Sequence, residues 1–438
     1  MNAKILAEQI FLAGVECVMP HEIMRRYLSP NDDILFVDDK KIKLESFNNI
    51  YVVGAGKASA KMALEIEDVL GNKITSGHVV VKHGHACALR YIDVSEAGHP
   101  VPDHNGYAAT KKILEIAKQA GKDDLVICLI SGGGSALLAD FPEEGSVDDL
   151  IKLNQLLLKS GADIKEINTV RKHLSKVKGG QIAKAVYPAQ LVTLILSDVI
   201  GDPLDSIASG PTVPDSTTFS DAIAVLEKFD LSLKVPPVFV DYLQNGERGL
   251  HPDTPKPGDV VFTNTHNFII GSNKIALEGC RQKAVTAGLS TFIITSELEG
   301  DTIEAANKIF TTTLSFQKDK KVKKPCCLLF GGETTLKVSG KGTGGRNQHL
   351  ALYATLLLKD QKGMTLLSAG TDGNDGPTEA AGAIVDTKTY EEAVKKGLHI
   401  ESYLDNFDSF HFFEKAGGHV VTGPTMTNVM DIIVVIIE

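Results

Sequence analysis

Leu129-Ile130-Ser131-Gly132-Gly133-Gly134-Ser135 ends the apolar run from Asp124 with three glycines between two serines. The run is short, continuous and closed by a turn signal, as a strand buried on both faces is. Glycine belongs where the backbone must take positive φ or approach a ligand closely. A strand, a glycine turn and a helix start together make a cradle of N–H groups for an anion. Far downstream, Gly342-Thr343-Gly344-Gly345-Arg346-Asn347-Gln348 repeats this character between a strand-like segment and a helical pattern. Two such loops predict two lobes, with phosphate held by at least one; two tight turns without a ligand are the plain alternative.

Outward from the first loop, strand and helix patterns alternate. Asn49 to Val53 reads as a strand, Ser59 to Leu70 as a helix, His78 to Lys82 as a strand and Gly106 to Ala120 as a helix. Val147 to Ser160 and Asn168 to Ala185 read as helices, and Gln190 to Ser197 as a strand. The predicted class is α/β, with mostly parallel sheets. In such folds ligands gather at the carboxyl ends of strands. The loops Gly54–Ser59, Ser131–Ser135 and Asp198–Pro203 all follow strands. Pro236, Pro237, Pro252, Pro255 and Pro257 crowd the stretch from Leu231 to Gly258, which reads as a linker. The expected domains are therefore 1–235 and 236–438. Alternation resumes beyond it, through Asn267–Ile270, Lys274–Ala287, Leu289–Thr295, Thr302–Phe316 and Cys326–Phe330. The five lysines of Lys318–Lys324 read as a solvated loop.

At 438 residues, more than one core is expected. A net charge of −10 argues against a nucleic-acid partner, which needs a basic field. No apolar run approaches the roughly 20 residues that span a bilayer, and the amino-terminal stretch lacks the pattern of a signal peptide. The six cysteines form no CxxC pair. Several lie in apolar strands, so buried thiols and a cytoplasmic location are expected.

Gly54-Ala55-Gly56-Lys57-Ala58-Ser59 invites a dinucleotide-binding reading, but Ser59 replaces the third glycine and the next strand runs into Lys82-His83. A nicotinamide ribose would want an acid there. Nor is it a Walker A loop. What remains is Lys57 on a strand-to-helix turn, where a cation opposes the helix dipole and an anion nearby would explain it. Asn168, Arg171 and Lys172 begin a basic segment in which Arg171, Ser175 and Lys178 share a helix face; it lines an anionic cleft or is simply solvated. Asp198 ends a strand as a candidate base or metal partner. Asp372 and Asp375, in Gly370-Thr371-Asp372-Gly373-Asn374-Asp375-Gly376-Pro377, suit either a hard cation or a metal-free Asx turn. Glu333 ends a further strand, and Arg346 is placed to grip a phosphoryl group. His99 and His104 show no metal spacing and read as loop histidines.

Taken in order, these segments make the chain resemble the class II glycerate kinases, whose C-terminal region is called MOFRL. The resemblance rests on Val53-Gly54-Ala55-Gly56-Lys57-Ala58, Gly98-His99-Pro100-Val101-Pro102-Asp103, Ser131 to Ser135 and Asn168-Thr169-Val170-Arg171-Lys172-His173-Leu174-Ser175. It continues through Ser197-Asp198-Val199-Ile200-Gly201-Asp202-Pro203, Ala208-Ser209-Gly210-Pro211-Thr212, Gly331-Gly332-Glu333-Thr334-Thr335, Gly344 to Gln348 and Thr371 to Gly376. It implies two α/β domains, a Rossmann-like N-terminal one and a smaller C-terminal one with a MOFRL region at about 325–435, and an active site in the cleft between them. It implies phosphorylation of D-glycerate at its 2-hydroxyl by ATP with Mg²⁺, small-molecule substrates, and no nucleic acid or membrane partner; an oligomer is compatible with it. The family's key lysine and arginine fall on Lys57 and Arg346. Phosphoryl transfer needs positioning and charge neutralisation above all. The expected roles follow. Lys57, Asp198 and Arg346 are catalytic. Gly54, Gly56, Ser131, Gly132, Gly133, Gly134, Ser135, Asn168, Arg171, Lys172 and Asn347 bind substrate or phosphate. Asp372, Asp375 and, less directly, Glu333 hold the metal. The rival expectations are an NAD(P)H-dependent hydroxypyruvate reductase, a name such sequences often carry, and a non-enzymatic phosphosugar-binding regulator.

Overall fold

A computed structural model of the chain describes residues 2–29, 34–37 and 40–438. Three short strands, β1 (Leu28–Ser29), β2 (Ile34–Val37) and β3 (Lys40–Lys43), form a small antiparallel sheet. The first large sheet holds β4 (Ile50–Ala55), β5 (Ile74–Lys82), β6 (Asp93–Ala97), β7 (Leu125–Ile130), β8 (Gln190–Leu196) and β9 (Thr265–Gly271), in the order β6-β5-β4-β7-β8-β9. The pairs β4·β5, β5·β6, β4·β7 and β7·β8 are parallel. Every residue of β4 and of β7 is buried. Only near-continuous apolar runs tolerate cover on both faces. The chain lays β4, β5 and β6 outward to one side, then returns to place β7 on the other side of β4. This order is that of a Rossmann fold, and the loops after β4 and β7 meet at its topological switch point.

The second large sheet holds β10 (Ser290–Leu298), β11 (Cys326–Gly332), β12 (Met364–Gly370), β13 (Gly382–Asp386), β14 (His419–Val420) and β15 (Asp431–Ile437), in the order β10-β11-β15-β12-β13-β14. Only β10·β11 is parallel; β15 runs antiparallel to both β11 and β12, and β12·β13 and β13·β14 are also antiparallel. The expectation of mostly parallel sheets thus holds for the first sheet and is corrected for the second. Period alone could not tell them apart, since β11, β12 and β15 are buried throughout and largely apolar. The register places Gly332 and Gly370 opposite Asp431. The carboxyl ends of β11 and β12 and the amino end of β15 therefore share one edge of the sheet.

The chain divides into two units: Ile23–Ser197 with Asp202–Ile270, and Gly271–Glu438 with Asp198–Gly201 and the segment up to Glu22. The boundary expected near 235 is not where the chain changes unit. Pro236 and Pro237 start a helix, Pro237–Glu247, whose first turn has no use for the missing N–H. Its Phe239 and Leu243 join a core cluster with Phe219, Leu226 and Leu153, so the proline-rich stretch is integral to the first unit. The first helix, Ala3–Cys17, belongs to the second unit. It crosses the helix Asn273–Thr286 at two glycines. A Cβ on Gly14 would lie 2.3 Å from Cys280 Sγ, and one on Gly279 would lie 2.7 Å from Cys17 Cβ. The single helix expected over Asn168–Ala185 is two helices, Ile164–His173 and Gln181–Val186, separated at Gly179 and Gly180, both at positive φ. Asp163 caps the first of them with Glu166 in a reciprocal capping box, so Asn168 lies mid-helix.

Candidate active site

At the β4/β7 switch point, two glycine loops touch backbone to backbone. Lys57 N–H donates to Gly132 O (2.9 Å), and Ala58 N–H donates to Ser131 Oγ (3.0 Å). Gly56, at φ +138°, leaves no room for a side chain: a Cβ would sit 2.2 Å from Ser131 Oγ. Gly54 is held likewise against Leu129, with a Cβ only 2.4 Å from its carbonyl oxygen. These two glycines and the buried Ser131 hydroxyl, also 3.2 Å from Ser59 Oγ, serve loop-to-loop packing rather than offering a phosphate ligand. What this packing presents is Lys57, half-buried, with no hydrogen bond or ion pair to its ammonium group among the described residues. The N–H groups of Gly132 and Gly133 likewise find no partner among them. Gly134 is pinned by a donor bond to Ser131 O (3.3 Å).

Ser135 Oγ lies 2.8 Å from Ser209 Oγ, which donates to Asn168 Oδ1 at 2.9 Å. The Asn168 amide nitrogen is buried without a partner among the described residues. Ala208 and Ser209 both take left-handed φ, +49° and +60°, just before Gly210. Strain of this kind is kept only where the surroundings enforce it. Sequence reasoning gave Ser209 no role, although two hydroxyl residues and a glycine in Ser206-Ile207-Ala208-Ser209-Gly210 signalled a tight turn. Arg171 Nε donates to Asn154 Oδ1 (2.8 Å). No carboxylate pairs with its guanidinium among the described residues, and burial pulls its pKa down. It borders a small cavity of about 30 Å³ with Ser135 and Lys178. Lys172, expected to bind substrate, is instead buried and paired with Asp215 at 3.3 Å. Lys178 is buried against Asp140 at 3.2 Å. Removing two lysines from water requires such partners, so these cations hold the fold.

The second unit gathers its charges on the sheet edge where β11 and β12 end and β15 begins. Arg346, the first residue of the helix Arg346–Leu358, sends Nε and Nη2 to the two oxygens of Asp431 (2.6 and 2.9 Å) and Nη1 to Glu333 Oε1 (2.6 Å). Burial opposes its charge, but Asp431 and Glu333 outweigh burial and hold its pKa high. Burial also pushes the Glu333 carboxyl up, against the pull of Arg346. Asp375 is buried and fully engaged: Oδ1 takes the N–H of Asn347 (3.0 Å) and Oδ2 that of Gln348 (2.8 Å), capping the helix. Desolvation, despite these bonds, raises its pKa to about 6. Gly345 permits this cap, since a Cβ there would lie 2.3 Å from Asp375 Cγ. Asn347 is also spent internally, donating to Asp431 Oδ1 (2.9 Å) and accepting from Ser368 Oγ (2.6 Å). Asp372 opens the turn after β12 and accepts from Asn374 N–H (3.2 Å). Glu333, Arg346, Asp372 and Asp375 line an open pocket of about 500 Å³. Asp198 follows the end of β8 and is half-buried. Asp431 was missed from sequence; the signal was a single acid at the head of the apolar run Ile432 to Ile437.

No group of three His, Cys, Asp or Glu side chains among the described residues is disposed to hold a metal ion. Asp375 has no free oxygen to give. Glu333 and Asp372, on a pocket richer in carboxylates than in cations, suit a metal that arrives with its own phosphate and water ligands.

Two family models match the chain: a domain of unknown function (DUF4147) over residues 6–244, and the MOFRL family over residues 326–431. The chain is 42% identical over 440 residues to a glycerate 2-kinase of Pyrococcus horikoshii, covering 100% of this chain and 98% of that protein. It is 42% identical over 436 residues to a D-glycerate 2-kinase of Thermotoga maritima, covering 99% and 98%. A solved structure of a glycerate kinase from Thermotoga maritima superposes with a TM-score of 0.90 at 40% identity, over 100% of both chains. With a Rossmann strand order behind Lys57 and a MOFRL region bearing Arg346, this chain belongs to the MOFRL family of glycerate kinases.

Proposed function

We propose that the chain transfers the γ-phosphoryl group of ATP to the 2-hydroxyl of D-glycerate, forming 2-phosphoglycerate. The observation that carries this reading is Lys57: a half-buried cation without a counter-ion among the described residues, at the β4/β7 switch point, beside the N–H groups of Gly132 and Gly133, which find no partner among them. A cation kept from water needs an anion, and both reactants are anions. Lys57 neutralises the carboxylate of glycerate or the phosphoryl group in flight. Arg346 is held by Asp431 and Glu333 in one rotamer, with its remaining N–H groups available to a phosphate oxygen. The Ser135–Ser209–Asn168 chain and Arg171 supply further polar contacts to the substrate. Asp198 is retained as a metal partner at the end of β8.

Mg²⁺ carried by the nucleotide fits Glu333 and Asp372, and when bound it would neutralise phosphate charge. Asp375 supports that pocket from behind by capping the helix that carries Arg346. The proposed setting is the cytoplasm. All six cysteines are free thiols, and burial pushes Cys128 up to about 12. No helix among the described residues is long and apolar enough to cross a membrane.

The geometry of the β4 turn argues against the reductase reading, although two relatives, 41% and 39% identical over 88% of this chain, are named "putative hydroxypyruvate reductase". Gly54 and Gly56 are filled by neighbouring backbone, and β5, which would carry the ribose-binding acid, ends at Lys82. The deciding experiment is ³¹P NMR of the product from ATP, Mg²⁺ and D-glycerate. A phosphomonoester on C2 with equimolar ADP is expected. NADH oxidation with hydroxypyruvate and no phosphoester would overturn the reading.

A further inference from the structure

The segment Gly98–Asp103 joins β6 to the helix His104–Gln119, and none of the roles above uses it. Asp103 folds it back on itself. One carboxylate oxygen takes the N–H of Gly98 (2.8 Å) and the other that of Gly106 (2.9 Å), capping the helix. The loop so closed sets His99 on the glycine turn after β7. A Cβ on Gly133 would lie 2.8 Å from His99 Cδ2, 2.9 Å from its Nε2 and 3.6 Å from Lys57 Cγ. Gly133, at φ +83°, is thus the floor on which both His99 and Lys57 rest. No hydrogen bond to either ring nitrogen of His99 is made among the described residues.

We propose that His99 is the general base that takes the proton of the acceptor hydroxyl. The inference rests on the kinase reading and deepens it. The hydroxyl oxygen forms its bond to the γ-phosphorus. The bond from that phosphorus to the β,γ-bridging oxygen breaks, and ADP leaves with the electron pair. The hydroxyl proton passes to a ring nitrogen of His99, and the imidazolium then releases it to water. Nothing beyond ATP and the alcohol is needed for balance.

The surroundings suit the role. Facing His99 are Lys57 from the turn after β4, and Lys82 and His85 at and beyond the end of β5. The acids on the adjoining strand and loop serve other partners: Glu96 accepts the N–H groups of Gly84 and Ala86, and Asp103 closes the loop and reaches His83 at 3.4 Å. His85 is itself bonded to Lys57 O (3.1 Å). Burial first, then Lys57, Lys82 and His85, lower the His99 pKa to about 4. The ring is therefore neutral and able to accept a proton at pH 7. Filling the site with carboxylate and phosphate offsets those cations and moves the pKa up, toward the range where a base works best.

The test compares wild type with His99→Gln and His99→Ala. With D-glycerate and ATP–Mg²⁺, His99→Gln should lose about a hundredfold or more in kcat, with both KM values and the melting temperature little changed. Added imidazole should restore turnover to His99→Ala and not to His99→Gln. Wild type should also show the His99 ring resonance titrating at higher pH once D-glycerate is added, a readout that needs no turnover and no variant. Near-wild-type kcat in His99→Gln, a loss confined to KM, or a ring pKa unmoved by glycerate would overturn the proposal. A wild type that makes no phosphoglycerate would instead overturn the kinase reading, since that assay does not involve His99 variants.

Discussion

At the scale of single residues, the two charged groups legible from sequence differ in what surrounds them. Among the described residues Lys57 stands without a counter-ion, whereas Arg346 is gripped by two carboxylates. Lys57→Ala should therefore cut kcat by about a hundredfold or more through lost electrostatic stabilisation, with no drop in melting temperature. It should also raise the His99 pKa, because the Lys57 charge is among the causes that depress it. Unchanged turnover in the folded variant would remove Lys57 from the mechanism. Asp431 and Glu333 give a contrast in stability. The Asp431 side chain is 3% exposed and that of Glu333 44%. Asp431→Asn should cost about 3 kcal/mol, as breaking a buried pair does, and Glu333→Gln under about 1 kcal/mol. Equal costs in chemical denaturation would show that burial is not what separates them. For His99 the sign is set by its lowered pKa: the unfolded chain binds the proton more tightly, so stability is lost as pH falls from about 6.5 toward 4. The melting temperature of His99→Gln, which lacks this titration, should fall less than that of wild type over this window. Parallel curves would contradict it.

At the scale of elements, glycine does two different jobs. Gly56 is required by contact: its missing side chain lets the β4 turn lie on Ser131. Gly249 also has positive φ, +79°, but nothing within 4 Å of a Cβ. Gly56→Ala should destabilise by about 2–4 kcal/mol through overpacking and strain together, and Gly249→Ala by about 1 kcal/mol through strain alone. Urea unfolding measures both; similar values would mean the close approach of the two loops carries no energy. The same distinction explains which elements were legible. The β4 and β7 strands and their glycine turns were read correctly because apolar runs and turn residues are local signals. The helix break at Gly179–Gly180 and the helix begun by Pro237 were missed. Glycine and proline mark a change of direction, but whether the next residues are core or linker depends on what Phe239 and Leu243 meet.

At the scale of the molecule, the chain's beginning is part of the unit that holds its end. Leu6, Ile10, Phe11 and Val15 are buried in the first helix. Each is worth about 1.5–3 kcal/mol, against a total stability of about 5–15 kcal/mol. Deleting residues 2–19 should strip hydrogen-exchange protection from β12 and β15 while β4 and β7 keep theirs. Equal loss in both sheets, or none in β15, would show that the helix is not a structural part of the second unit. No composition shift marks this return of the chain, since Ala3–Cys17 reads as an ordinary amphipathic helix wherever it packs.

The α/β class, the first parallel sheet, both glycine loops and the prominence of Lys57 and Arg346 are legible along the chain. These rest on periodicity, turn chemistry and nine ordered motifs, all of which are properties of neighbours along the chain. Folding, not local pattern, makes the second sheet largely antiparallel, because strands covered on both faces look alike in either direction. It alone set Asp431 against Arg346, 85 positions away, and His99 on Gly133. It also withdrew Lys172, Asn347 and Asp375 from direct ligand binding by giving each a buried partner. A side chain's chemistry is fixed by its type, but whether its charge or hydrogen bonds are already satisfied depends on residues brought near by folding, and no spacing in the sequence records them.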